Sequence, residues 1–157
     1  MISKQRTAAA SLIASASVLV GVAIHEGYSS TAYRDTAGVA TVGFGQADGV
    51  KMGDKTDPIR ALQVLQNSLD SHAKGMVACI HVPISQGEYD AYLDFTYNVG
   101  VSAFCHSTLN KKLNSMDYAG ACKELLKWNT AGGKVVAGLQ KRRTEEYEKC
   151  SAQSNSN

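Results

Sequence analysis

Between Thr7 and Ile24 the chain carries no charged residue for 18 positions, and Glu26 follows only two residues later. A stretch of this kind has to be covered by protein or by lipid, so it constrains the fold before any other feature does. As a single helix it would be about 27 Å long, just short of a hydrocarbon core of about 30 Å. Lys4 and Arg6 precede it and would keep that end on the cytoplasmic side if the stretch inserted. Six Ala, three Ser, one Thr and one Gly leave Leu12, Ile13, Val18, Leu19, Val20, Val22 and Ile24 as its strongly apolar residues. These seven contribute roughly −2 to −4 kcal/mol to insertion, so such a helix can enter a bilayer and also leave it. Three readings compete. A cleaved signal peptide fits the Ala-x-Ala at Ala14 to Ala16, but a cut there or near Ala23 strips Glu26 of N-terminal support. A buried Ala-rich helix suits the small residues Ala8, Ser11, Ala14, Ser15 and Gly21, yet leaves the basic end and the missing charges unexplained. A reversible anchor that later packs on the protein uses every feature.

The remaining chain reads as one domain able to fold as two lobes around a cleft, since the whole sequence has 157 residues. The expected division is an anchor segment at 1–24, a catalytic domain at 25–150 and a polar tail at 151–157. A composition of 44% hydrophobic and 19% charged residues excludes a disordered chain. With a net charge of +2 and no basic run, RNA-binding signature or zinc-finger spacing, nucleic acid is not an expected partner. Cys79, Cys105, Cys122 and Cys150 all lie beyond the uncharged stretch, and an even number after an export-like N-terminus predicts disulfides in an oxidising compartment. Three pairings are open; Cys79 with Cys105 and Cys122 with Cys150 would each close a loop of about 25 to 30 residues, contributing about 3 kcal/mol.

From Tyr28 to Gln46, Tyr33, Val39, Thr41, Val42 and Phe44 alternate with Gly38, Gly43 and Gly45, the pattern of a small hairpin. Asp57-Pro58 caps a helix on which Leu62, Leu65, Leu69 and Met76 recur at helical spacing, the expected link between lobes. Ser85 and Glu88 form a capping box for a helix through Asn98. Asp117 caps another through Trp128, with Ala121, Cys122 and Leu125 inward, and a last helix runs from about Val136 to Lys149. The predicted class is α+β and mainly helical: a small β-hairpin lobe, a long linking helix and a helical C-terminal lobe. Arg142 and Arg143 point about 100° apart on a helix, so at most one is expected to face inward.

Glu26, Asp35 and Thr41 bring two carboxylates and a hydroxyl onto a helix end and a hairpin, a set suited to cutting glycosidic bonds. Glu26, after an apolar run, is the better acid, because desolvation would keep it protonated; Asp35, beside Arg34 and turn glycines, should stay ionised. Thr41 could help Asp35 hold a water. His25 reads as an interfacial polar residue. His72, His81 and His106 lack metal-ligand spacing, and neither metal nor cofactor is expected. Tyr97 and Trp128 read as core before sugar-stacking residues.

The run from Glu26 through Arg34-Asp35 and Thr41 to Gly43-Phe-Gly45 resembles the active-site segment of the phage-type lysozymes, the family of T4 lysozyme. Further matches are Pro83, Phe95-Thr-Tyr-Asn98-Val-Gly100, Phe104-Cys-His-Ser-Thr-Leu109, Gly120-Ala-Cys122, Trp128, Ala131-Gly-Gly133 and Gly138-Leu-Gln-Lys-Arg-Arg143. The resemblance implies a peptidoglycan hydrolase cutting between N-acetylmuramic acid and N-acetylglucosamine, with Glu26 as acid, Asp35 and Thr41 positioning water, and Asn98 across the cleft as a substrate or structural contact. Gln46 departs from the His that many relatives carry. The N-terminal stretch is similar to the anchors of signal-anchor-release endolysins, which implies a monomer tethered to the periplasmic face of the host inner membrane and then freed into the periplasm. An anchor without cysteine closes the thiol-exchange route of activation. Two alternatives remain: a lytic transglycosylase, and a non-catalytic exported peptidoglycan-binding protein.

Overall fold

The computed structural model describes residues 5–154. The uncharged stretch is not one helix in it. Thr7 forms a β-bridge with Ile84, a 3-10 turn follows at Ala9–Ser11, and helix α1 occupies only Ala16–Glu26. Ser15 makes the break: its backbone is extended and its side chain accepts the Val18 N–H, the usual work of an N-cap. At about 16 Å, α1 is far short of a bilayer, and no helix among the described residues is long and apolar enough to cross a membrane.

After Gly27, strands β1 (Ser29–Arg34) and β2 (Ala40–Gly43) form the antiparallel hairpin predicted for this region. Tyr33 pairs with Thr41 and Arg34 with Ala40, so Asp35 stands at the turn with Thr41 directly behind it on the return strand. The following loop folds back on β1, with Ala32 N–H donating to Asp54 C=O and Thr56 N–H to Ser30 C=O. Helix α2 (Pro58–Ala78) begins as expected, Asp57 accepting from the Arg60 N–H with Pro58 in the first turn, and buries Leu65, Leu69 and Met76.

Helix α3 (Gln86–Val99) is the axis of the helical lobe. Its capping box is complete, with Ser85 Oγ accepting from Glu88 N–H and Glu88 Oε2 accepting from Ser85 N–H. It is buried without interruption from Gly87 to Thr96 and is packed by α1, α2 and the last helix. Two short helices follow, α4 (Val101–His106) and α5 (Thr108–Asn114), then α6 (Tyr118–Leu125) capped by Asp117. Helix α6 stops before Trp128, and a small hairpin of β3 (Thr130–Ala131) and β4 (Lys134–Val135) leads to α7 (Ala137–Ser154). That helix continues past Lys149 into the polar tail, of which residues 155–157 lie outside the described part.

Of the three open pairings, the structure forms Cys79–Cys105 and Cys122–Cys150. The first ties the end of α2 to α4, and the second ties α6 to α7. Phe95, at the centre of α3, meets Phe104 and, in an edge-on contact, Trp128, which stays partly exposed and does not join the core as its sequence reading expected.

Candidate active site

Glu26 is the last residue of α1, and a glycine follows because the backbone must turn sharply there, with φ of 72° at Gly27. Its carboxylate is gripped from one side: Arg142 of α7 donates from Nη1 to Glu26 Oε1 at 3.2 Å. The other oxygen faces the hairpin. At Gly45, where φ is 82°, any side chain would place its Cβ 3.1 Å from Glu26 Oε2, so only a glycine leaves this oxygen its space. The apolar surroundings expected for Glu26 are thus not what the fold supplies; a guanidinium and a glycine backbone bracket it instead.

Arg142 is itself buried and held by Asp94 of α3, to which Nε and Nη2 donate at 2.9 and 2.6 Å. Burial works against its charge, but Asp94, Glu26 and Glu146 more than offset this and hold the guanidinium above its ordinary value. His25 joins the same group, its Nε2 lying 3.0 Å from Glu145 and 4.0 Å from Asp94. Arg143 is buried as well, contrary to the expectation that one of the two arginines would face out. It donates to Glu146 at 2.6 and 2.7 Å and to Trp128 C=O at 3.1 Å, and also to Asn98 Oδ1. Both arginines are inside because α7 is flanked on two sides, by α3 and by the segment around Trp128, and each side supplies acceptors. Glu146 has little water left, and burial pushes its carboxyl up to about 8 against the pull of Arg143.

Asp35 and Thr41 are placed by the hairpin. Asp35 Oδ1 accepts from the N–H groups of Ala37 and Val39 at 2.9 and 2.8 Å, an Asx-type turn that fixes the carboxylate and leaves Oδ2 uncommitted among the described residues. Thr41 is buried, and its hydroxyl donates to Val39 C=O at 3.1 Å, so its remaining lone pairs can only accept. Gln46 closes the tight turn after β2 through paired backbone hydrogen bonds with Val42. Tyr28 braces it from below, tilted on Phe44 with ring centres 5.3 Å apart and donating to Thr56 C=O.

Two hollows lie near Glu26, and its side chain lines the second of them. One, of about 420 Å³, runs between the turn after β2 at Phe44–Gln46, the α2 face at Leu65 and Ser68, and Tyr97. Burial pushes the Tyr97 phenol up, and the Glu26 carboxylate adds to the effect. The other, of about 490 Å³, is lined by Glu26, Asn98, Arg142 and the start of α7. Asn98 is exposed here, its Oδ1 fixed by Arg143 and its amide N–H groups left to the hollow. Gly45 lines the first hollow and Glu26 and Asn98 line the second, and the close approach of Gly45 to Glu26 Oε2 sets the two side by side. Asp94, Arg142 and His25 were missed as parts of it in the sequence. A signal for Asp94 existed, a lone acid between Leu93 and Phe95, but its partner lies 48 residues away.

Residues 23–146 match the model of the family described as phage lysozyme. The endolysin of Acyrthosiphon pisum secondary endosymbiont phage 1 is 37% identical over 82% of this chain and 90% of its own length. The SAR-endolysin of Pseudomonas phage phiKMV is 37% identical over 86% of each. Among solved structures, an endolysin from Escherichia coli O157:H7 phage FAHEc1 is 32% identical and superposes with a TM-score of 0.82, covering 93% of this chain and 96% of that one. This chain belongs to the phage lysozyme family and is a glycoside hydrolase of lysozyme type.

Proposed function

We propose that the enzyme is a monomeric endolysin that hydrolyses the β-1,4 bond between N-acetylmuramic acid and N-acetylglucosamine in peptidoglycan, with Glu26 as general acid. The observation that carries the assignment is the unequal treatment of the two Glu26 oxygens: Oε1 is tied to Arg142 and Oε2 faces Gly45. A proton on Oε2 passes to the glycosidic oxygen, and Arg142 stabilises the carboxylate left behind. The bond from the anomeric carbon to the glycosidic oxygen breaks, and a water held by hydrogen bonds to Asp35 Oδ2 and Thr41 Oγ1 bonds to the anomeric carbon, giving one proton to Asp35 and keeping the other in the new hydroxyl. Asn98 offers its amide N–H groups to the sugar on the other side.

The second half of the proposal concerns control. Relatives named SAR-endolysin share the alignment, and this chain has the weak, uncharged stretch that such an anchor needs. While that stretch spans the host inner membrane, Ile24 lies at the surface and Glu26 is held within about 5 Å of it, a position that no bulky glycan can share with Asp35. An inside-negative potential opposes outward passage of Lys4 and Arg6 by roughly 2.3 kcal/mol per charge per 100 mV, so depolarisation favours release into the periplasm. The described state, with the stretch packed on α3, is then the released and active one.

Clearing of outer-membrane-permeabilised Gram-negative cells by purified protein tests the catalytic part. Glu26→Gln should lower the rate on the order of 10² to 10⁴-fold, and equal clearing by both proteins would defeat the assignment. A reducing rather than an anhydro muramic end in the products separates hydrolysis from lytic transglycosylation.

A further inference from the structure

Hydrophobic packing does not by itself explain why the N-terminal stretch stays on the body. Ile13, Val20 and Ile24, three of its seven strongly apolar side chains, remain 78%, 54% and 74% exposed, Leu12 and Leu19 are only partly covered, and Ala9, Val18 and Val22 are buried. Its polar ties, in contrast, converge on one short region, Ile84 to Asp90, where α3 begins. Thr7 exchanges two backbone hydrogen bonds with Ile84, at 2.8 and 2.9 Å. Gln86 Nε2 donates to Ile13 C=O at 2.8 Å. Ser15 donates through N–H and hydroxyl to the two oxygens of Asp90. The strongest tie is at the basic end. Arg6 donates from Nη2 to Glu88 Oε1 at 2.8 Å and from Nε to both carboxylate oxygens at 3.1 and 3.2 Å, while its guanidinium lies 3.6 Å above the Tyr118 ring.

Glu88 is fully buried, and among the described residues Arg6 is the cation that meets it. Its Oε2 also caps the α3 backbone at Ser85, so the carboxylate joins the incoming segment to the helix that carries Asp94. Six residues, about 9 Å of one helix, separate the group that receives Arg6 from the group that holds Arg142 on Glu26.

We infer that Arg6 and Glu88 form a completion latch, which closes only after the basic end of the segment has crossed the membrane and which then holds α3, and through Asp94 the Arg142–Glu26 pair, in its working position. The inference rests on the anchor-release reading. In the tethered orientation Arg6 lies on the cytoplasmic side of the uncharged stretch and Glu88 on the exported body, so a partly extruded segment frees Glu26 without closing the latch. The same arginine therefore retards release and rewards its completion. The geometry also favours arginine over lysine, because a planar fork meets both carboxylate oxygens and stacks on Tyr118, which a single ammonium does not reproduce.

Full-length Glu88→Gln is the direct test, since glutamine at this position still completes a capping box and the anchor sequence is untouched. It should move to the soluble fraction after an uncoupler as the wild type does. Its amides between residues 7 and 26 should then exchange about tenfold faster or more, and its clearing rate should fall severalfold through kcat with KM unchanged. Arg6→Lys, which keeps the charge of the anchor and both partners in the body, should show the same changes to a smaller extent. Wild-type exchange and kcat in both variants, beside an inactive Glu26→Gln, would overturn the latch and leave the hydrolase standing. Failure of wild-type protein to clear cells would count against the hydrolase reading alone, and the exchange comparison would still decide the latch.

Discussion

Helices α1 and α3 invert the usual rule of what goes inside. Before its last two residues α1 carries no charge, yet it leaves Val20 and Ile24 largely in water. Helix α3 bears Glu88, Asp90 and Asp94, yet all three are buried. The contrast separates two meanings of sequence hydrophobicity. In α1 the absence of charge fits a second environment, the bilayer, more closely than it fits the surface on which the helix rests. In α3 each buried acid has a visible donor: Arg6 for Glu88, Ser15 for Asp90, Arg142 for Asp94. Buried charges are expensive unless they are paired in this way, so the acids of α3 mark where other segments must arrive.

The inversion can be broken most severely at Arg142. Arg142→Met removes the cation shared by Asp94 and Glu26, leaving Asp94 buried without it, and should cost about 3 to 5 kcal/mol in unfolding free energy. Denaturant titration checks this, and clearing activity should fall far more than stability alone explains, because Glu26 Oε1 loses its tie. On α1 the effects should be smaller and divided by face. Val22 is completely buried, and Val22→Ala should cost about 1 to 3 kcal/mol. Val20, two positions earlier, is more than half exposed; Val20→Thr should change the stability of the released enzyme by no more than about 0.5 kcal/mol. Membrane fractionation should reverse that order, with Val20→Thr weakening retention in the bilayer at least as much as Val22→Ala. If Val20→Thr unfolded the soluble enzyme, the second environment would not be needed to explain α1.

Local chemistry was legible in the sequence where it acts over a few residues. The hairpin followed from its glycines, the start of α2 from Asp57-Pro58, and the start of α3 from Ser85 and Glu88, since caps and turns bond within three or four positions. Glu26, Asp35 and Thr41 stand out in the sequence as a pattern of residue types, but the surroundings of Glu26 do not. The apolar run before Glu26 predicts desolvation, whereas its contacts come from Gly45 and Arg142, 116 residues away in the second case. The two buried arginines failed the helical-wheel argument because one helix can be covered on two sides. The short helices α4 and α5 have too little periodicity to register, and the Ser15 cap that breaks the stretch is itself held by Asp90, 75 residues away.

The central claim is that the location of the uncharged stretch decides whether Glu26 can work. It is tested most directly in Gram-negative cells expressing the full chain, by following the protein between membrane and soluble fractions together with glycan cleavage, before and after an uncoupler. The account predicts membrane-bound protein and intact glycan in energised cells, then transfer to the soluble fraction and rapid appearance of new reducing muramic ends once the potential collapses. Cleavage by protein that is still membrane-bound in energised cells would contradict it.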